Sequence, residues 1–344
     1  MNKEPNSRFK PFFIVGRGRS GTTLVRLLLD AHPAVAAPPE GQFIISLRNK
    51  YAKARWDKDK LLSFYSDLWL EERLDDWNLD KEKLKQDLLA RGSKASFPDL
   101  CMMVYAHYAL SSGKEGVTIL GDKNPIYARF INELIGLFPN SKFIHVTRDY
   151  RDNILSYQRA KFDANNTSAL AYRWRKFNEE ILKYSERYPD KFILVRHEDL
   201  LKNPIHHLER ICSFLGVDFD PLMLEFYKPP RNAPKWWEWH TKFIRPLDKS
   251  RVYLWKKKMK RSDVLKADYI CRNIANYLGY ENTSKPRSII LFFVTLPGVL
   301  YGWIVSCLER FVFFLPTKLG MNMVTFYRVI TGTSRRKRFK GLDR

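Results

Sequence analysis

The stretch Phe12-Phe13-Ile14-Val15-Gly16-Arg17-Gly18-Arg19-Ser20-Gly21-Thr22-Thr23-Leu24-Val25-Arg26-Leu27-Leu28-Leu29-Asp30 decides the fold. Its first four residues are aromatic or β-branched and read as a buried strand, the glycines mark a turn, and the run that follows has helical apolar spacing. A strand, a glycine-rich turn and a helix N-terminus in that order form an anion cradle. Glycines let backbone N–H groups converge, and the helix dipole adds positive potential. The spacing of a Walker loop is kept from Gly16 to Thr23, but Thr22 stands where an NTPase places lysine, and the cation sits inside the loop as Arg19.

Outward from this loop, short apolar runs recur at 117–120, 142–146 and 191–195, separated by stretches of helical spacing. Strands alternating with helices predict an α/β chain with a P-loop-type three-layer fold and a central, mostly parallel sheet. Residues 42 to 116 are charged and aromatic with heptad-like apolar positions, as in LLSFYSDLWLEERL, and read as a helical insertion. This gives a main domain over 1–286 and a hydrophobic helical appendage with a basic tail over 287–344.

Within that appendage, Ser288 to Leu308 carries no charge over 21 residues, enough to cross a bilayer. Pro297 and Gly298 fall mid-segment, so a kinked or re-entrant hairpin, a straight span and a buried helical hairpin all stay open. Arg335, Arg336, Lys337, Arg338 and Lys340 then form a basic cluster suited to anionic headgroups or to a solvated end. Membrane contact is expected through 288–315 and this tail. The N-terminus MNKEPNSRFK is polar and runs straight into the first strand, which predicts no secretory leader and a cytoplasmic catalytic part attached to the inner face of a membrane. If domain and tail share that side, a single straight crossing is excluded.

Composition narrows the partners. Lys plus Arg total 60 against 37 Asp plus Glu, a formal charge of +23, which points to anions: nucleotides, sulfated or phosphorylated products, acidic lipid or nucleic acid. Cys101, Cys212, Cys271 and Cys307 are widely spaced and form neither a zinc-ligand pattern nor a disulfide framework, so no metal site is expected and a reducing compartment fits. A kinase reading of the loop requires the missing lysine and a strand-end Asp for Mg²⁺; Asp122 is the nearest candidate and is flanked by Lys123. Transfer of a less charged sulfuryl group needs only a placed cation and N–H donors at the bridging oxygen.

Gly18-Arg19-Ser20-Gly21-Thr22-Thr23-Leu24, followed by Asp30-Ala31-His32-Pro33, resembles the loop and DAHP segment of the sulfotransferase family that uses 3′-phosphoadenosine 5′-phosphosulfate (PAPS), and is most similar to its tyrosylprotein-type and bacterial branch. Gly18 replaces the usual proline. The resemblance implies that Arg19, Ser20, Gly21, Thr22 and Thr23 bind the donor's 5′-phosphosulfate. KFIHVTRDYRDNILSY, from Lys142 to Tyr157, is similar to the element that grips the 3′-phosphate, which assigns Arg148 and Ser156 to that role. Asp122-Lys123-Asn124-Pro125 resembles a segment whose lysine stabilises the transferring group, implying Lys123, with an ordinary strand-to-helix turn as the alternative. Ile244-Arg245-Pro246 resembles a late segment that contacts donor phosphates through its basic residue, Arg245.

In-line attack by a hydroxyl needs a base. The resemblance places a glutamate shortly after DAHP, which is Glu40 here, the acid of a Pro-rich turn beyond the loop helix; a solvated carboxylate is the alternative. His32 is the rival base but ends the helix, and His107 and His145 lie in apolar surroundings as core histidines. Gln42 occupies the position of a substrate-steering arginine, which argues against an acidic peptide acceptor. Trp236, Trp237 and Trp239 read as core packing, an acceptor wall or an interfacial belt, and Lys256 to Arg261 as a solvated helix face, a nucleotide cover or a headgroup contact. The expected activity is metal-independent sulfuryl transfer from PAPS to a hydroxyl, with Glu40, Arg19 and Lys123 catalytic. The alternatives are a P-loop kinase and a non-enzymatic basic scaffold at a membrane or RNA surface; no nucleic-acid partner is expected under the first reading.

Overall fold

Five parallel strands in the order β2-β3-β1-β4-β5 form the centre of the computed structural model. It describes residues 9–160, 166–228, 246–283 and 288–312, with 315, 319, 322 and 323 beyond them. The strands are β1 (Lys10–Val15), β2 (Val35–Ala36), β3 (Ile119–Lys123), β4 (Lys142–Thr147) and β5 (Phe192–Arg196). β1 is buried along its length except at Lys10, because both sheet faces are covered. Side chains alternate between them: Phe13 and Val15 join the core of the helical insertion, whereas Phe12 and Ile14 pack with the loop helix.

The loop helix α1 (Thr22–Asp30) follows β1 directly, and α2 (Phe43–Tyr51), α3 (Lys58–Leu68), α4 (Lys81–Ala90) and α5 (Phe97–Ser111) make up the expected insertion. α6 (Ile131–Leu137) leads into β4; α7 (Tyr150–Ala160) and α8 (Thr167–Arg187) join β4 to β5; α9 (His197–Lys202) and α10 (Pro204–Leu215) follow β5. The helices α11 (Trp255–Lys258) and α12 (Arg261–Tyr277) close the main body, with α12 packing through Ala267, Ile270 and Cys271 onto Leu170 and Trp174 of α8.

Two boundaries differ from the sequence reading. The third strand runs to Lys123 rather than ending at Leu120, because pairing with β1 carries it through polar Gly121, Asp122 and Lys123. The apolar C-terminal segment forms one helix, α13 (Ile289–Val312), continuous through Pro297. The Thr295 hydroxyl donates to the Leu291 carbonyl at 2.7 Å one turn before the proline, so the segment is neither of the two hairpins considered. Arg245, the three tryptophans at 236, 237 and 239, and the basic tail lie outside the described residues.

Candidate functional site

The parallel strands put every loop that follows them at one edge of the sheet, where an open α/β sheet binds its ligand. The phosphate loop fills the gap between β1 and α1. Gly16 (φ +150°) runs so close to β4 that a Cβ there would stand 2.2 Å from the Val146 carbonyl oxygen. Gly21 (φ +95°) caps α1 with no side chain, leaving the first N–H groups of the helix open to an anion. Arg19 is held at φ +66°, an uncommon conformation for a side-chain-bearing residue and one that directs the cation out of the loop. The amide of Asn153 in α7 pins the loop by donating to the Gly18 carbonyl at 2.9 Å and to the Ser20 hydroxyl at 3.1 Å. Ser20 and Thr22 are buried, and Thr23 is exposed at the mouth.

Arg19 ties this loop to the second expected element, since its Nε donates to the Ser156 hydroxyl at 3.0 Å. Arg148 leaves β4 beside them. Its Nη2 donates to the Arg251 carbonyl at 2.9 Å and lies 3.6 Å from Asp152, while its buried Nε has no hydrogen-bond partner among the described residues. Arg19, Arg148, Ser156, Arg159 and Arg251 line a pocket of about 460 Å³. Burial lowers the pKa of Arg19 and the neighbouring Arg148 adds to this, opposed by Tyr157, yet a guanidinium keeps its charge. Such a concentration of cations favours a polyanion.

Arg159 and Arg251 are additions to the expected set. Arg159 lies one turn beyond Ser156 on the same helix, a spacing visible in sequence, whereas Arg251 arrives through a tertiary fold-back that no local pattern announces. That fold-back is fixed by Asp152, whose carboxylate accepts the Trp255 N–H at 2.9 Å, and by Arg151, whose guanidinium lies 3.7 Å from the centre of the Trp255 ring. Lys256, Lys257 and Lys258 are exposed, in line with the solvated-face reading.

Glu40 lies on the turn after β2. Asp30 holds that turn by accepting the Ala37 N–H at 2.9 Å, and Arg26 donates to the Ala37 carbonyl at 3.0 Å, so the DAHP aspartate acts as a clamp. Asn124 and Tyr127 donate to the Gly41 carbonyl, locking the next residue. The Glu40 carboxylate is paired on one side with Lys123 and on the other with Arg73, in the short 3₁₀ helix Glu72–Trp77 of the insertion. Burial would raise its pKa, but the two cations outweigh this and hold it well below the ordinary carboxylate range. Lys123 moves down through burial, and Glu40 opposes the shift. Arg73 is the third member of the cluster and lies in the segment that the sequence marks only as a helical insertion.

The histidines divide as expected, with one addition. The Ala34 N–H donates to His32 Nδ1 at 3.0 Å, so the Nε2–H donates to the Asp218 carbonyl at 2.8 Å. Both ring nitrogens are occupied, and His32 is a helix-end fastener. His145, hydrogen-bonded to Asn178 at 2.9 Å, is pushed down to about 4 by burial, and His107 pairs with Asp87 at 3.0 Å. His197, which sequence reading did not single out, begins α9 after β5 with Nδ1 against Gly21; that nitrogen is buried and has no partner among the described residues. Burial, and then the charge of Arg148, push His197 down to about 3, so it faces the loop as a neutral ring.

Asp122, the nearest candidate for an Mg²⁺ carboxylate, points the other way along the alternating strand. It is buried and accepts from Tyr105 and from Asn124, the latter at 2.9 Å.

The loop between strand and helix, with cations converging at the carboxyl edge of the sheet, defines an α/β protein of P-loop-type fold with an anion cradle at that edge. Residues 11–221 match the family model described as the Sulfotransferase family, and the chain belongs to that family. It is 26% identical over 295 residues to a protein-tyrosine sulfotransferase of Drosophila melanogaster, covering 82% of this chain and 54% of that protein. It is 27% identical over 223 residues to protein-tyrosine sulfotransferase 2 of Gallus gallus, covering 62% and 52%. The chain thus spans about half the length of these curated relatives. Among solved structures, the sulfotransferase domain from the curacin biosynthetic pathway superposes with a TM-score of 0.59 at 25% identity, covering 80% of this chain and 99% of that domain.

Proposed function

We propose that the protein transfers a sulfuryl group from PAPS to an acceptor hydroxyl. The acceptor oxygen attacks sulfur, the bond from sulfur to the bridging oxygen of the 5′-phosphate breaks, and the products are a sulfate ester and 3′,5′-adenosine bisphosphate. Glu40 takes the hydroxyl proton. Lys123 and Arg19 stabilise charge that develops on the transferring group and the leaving phosphate. Serving both ends of the reaction, Lys123 turns from Glu40 to the sulfuryl oxygens when donor is present, leaving Arg73 to hold the base.

One observation carries this reading: Arg19 of the phosphate loop donates to Ser156 and lines one pocket with Arg148, so the loop and the Arg148 cluster adjoin. Two anion sites so joined suit a nucleotide phosphorylated at both 5′ and 3′ positions better than a linear triphosphate. The kinase alternative is opposed by Thr22 at the lysine position and by the engagement of Asp122 with Tyr105 and Asn124. Gln42 supplies no cation where an acidic peptide would need one, and its backbone N–H is already given to Glu71 at 3.0 Å. The acceptor class that fits the apolar surface of α13 is a hydroxyl compound presented at a membrane.

Calorimetric titration with 3′,5′-adenosine bisphosphate, AMP and ATP, each with and without Mg²⁺, tests the donor. The bisphosphate should bind best and without need of metal. Tighter binding of ATP that depends on Mg²⁺ would replace this reading with the kinase.

A further inference from the structure

Helix α13 has its polarity inside out for a helix in water. The side facing α8 carries Thr295, Gly298, Gly302, Ser306 and Glu309, at spacings of three and four residues. The side facing away carries Ile290, Phe293, Trp303 and Leu308, which are 68%, 64%, 54% and 59% exposed. A helix on a water-soluble domain turns its apolar stripe inward. Here small and polar residues make the protein contact, as between helices in lipid, where backbones approach over glycines and polar groups join them.

The contact with α8 is close and specific. A Cβ on Gly298 would stand 2.5 Å from the Asn166 side-chain oxygen and 2.6 Å from Ser168 Cβ; one on Gly302 would stand 3.0 Å from the Ala169 carbonyl oxygen. Glu309 pairs with Arg173 and, at 3.4 Å, with Arg129, which also donates to the Ser306 carbonyl at 2.7 Å. A helix of 24 residues is about 36 Å long, enough to cross a bilayer. While docked, however, it cannot cross: α8 lies against it and carries Arg175, Lys176, Glu179 and Glu180, which a crossing would draw into hydrocarbon.

We propose that α13 is a monotopic membrane anchor that stays docked on α8 and lies in the plane of an anionic lipid surface, its outward face in the acyl boundary and both its ends on the side of the catalytic domain. In sequence, Lys285 and Arg287 precede the helix and Arg310 stands near its end, so cations bracket the apolar face as headgroup phosphates require. The same charges disfavour a second copy as the occupant, since pairing two such faces brings like charges together. This inference does not depend on the sulfotransferase reading, and its test uses no nucleotide.

The full chain is mixed with phosphatidylcholine vesicles, with and without phosphatidylglycerol, and floated. It should rise with the vesicles, more so with the anionic lipid, and Phe293→Glu with Ile304→Glu should reduce the bound fraction roughly tenfold or more while thermal unfolding in solution stays cooperative. Two single-site chains, Ser288→Cys and Arg310→Cys, each with Cys307→Ser, then mark the helix ends; the other three cysteines are buried. A membrane-impermeant maleimide added outside sealed vesicles should label both ends. Protection of one end until detergent is added would mean a span and overturn the in-plane anchor. A chain that stays in solution beside vesicles, whether as monomer or as a dimer broken by the two glutamates, would overturn the lipid assignment.

Discussion

Arg148→Ala should weaken binding of 3′,5′-adenosine bisphosphate while leaving AMP nearly unaffected. The side chain of Arg148 is only 13% exposed, so solvent screens its charge little, and its Nε has no hydrogen-bond partner among the described residues. A charge-assisted hydrogen bond contributes roughly 1.5–3 kcal/mol, and an arginine fork offers two. Arg19, Arg159 and Arg251 remain nearby and take up part of the loss, which leaves about 2–3 kcal/mol, or roughly 30- to 140-fold in affinity. Ser156→Ala removes one neutral contact worth about 1 kcal/mol, near fivefold. Arg148→Lys keeps the charge without the fork and should fall between. The substitution also strips Asp152 of its cation, so each variant is first checked for cooperative unfolding, and calorimetry then compares the two nucleotides. Equal weakening of both would take Arg148 out of the 3′-phosphate contact and with it the strongest argument for a doubly phosphorylated donor.

Three further outcomes are expected. Glu40→Gln should lower release of bisphosphate from PAPS in the presence of a phenol acceptor by about 10²- to 10⁴-fold with bisphosphate affinity kept; undiminished turnover would remove Glu40 as the base. Arg73→Ala removes one of the two cations that hold Glu40 down. Because the pair is about a quarter exposed, the change is worth about 1.5 kcal/mol, and the acid limb of the pH–rate profile should move up by about one pH unit. A limb that stays put would show that another group titrates. Asp122 is pushed up to about 7 by burial, against the hydrogen bonds of Tyr105, Tyr127 and Asn124. A carboxyl raised in this way contributes stability that is complete below its unfolded value, about 4, and is lost as pH rises through 7. Asp122→Asn should therefore flatten the fall of melting temperature across that window. Glu198, also raised by burial to about 7, retains part of the slope, so the slope should shrink without vanishing; an unchanged slope would contradict the burial argument.

What the sequence made legible follows from where the information lies. The phosphate loop is contiguous, and its strand, turn and helix each carry a local signal, so residues 12 to 30 could be read directly. Arg148 and Ser156 lie eight residues apart across one strand-to-helix turn and became readable through resemblance. Arg73 and Arg251 were not, because each reaches the site from a distant segment fixed by contacts of other residues: the insertion core around Trp77 for one, the Asp152 and Trp255 anchor for the other. Hydropathy ends the third strand at Leu120 because Gly121, Asp122 and Lys123, which continue the pairing, are not apolar. Their burial is tolerated only because Tyr105 and Asn124 satisfy Asp122 while Glu40 satisfies Lys123. Hydropathy marked the C-terminal helix but not its inverted face, since a segment without charges has no contrast until its neighbour is known.

Helix α8 connects the two halves of the molecule. The guanidinium of Arg17, inside the phosphate loop and almost fully buried, donates to the Leu170 carbonyl and lies 4.4 Å from the centre of the Tyr157 ring. Leu170 follows Ala169, the residue on which Gly298 and Gly302 of α13 rest. The first two turns of α8 thus support the phosphate loop on one side and the apolar helix on the other, through the adjacent residues Leu170 and Ala169. Close backbone packing makes such a joint stiff, because neither glycine contact can widen without losing its dispersion energy and nothing fills the gap. The orientation of α13 on a surface therefore fixes the orientation of the phosphate loop relative to that surface. With α13 on a lipid surface as proposed, a donor bound at this loop would be held at a constant height above that surface without a flexible tether.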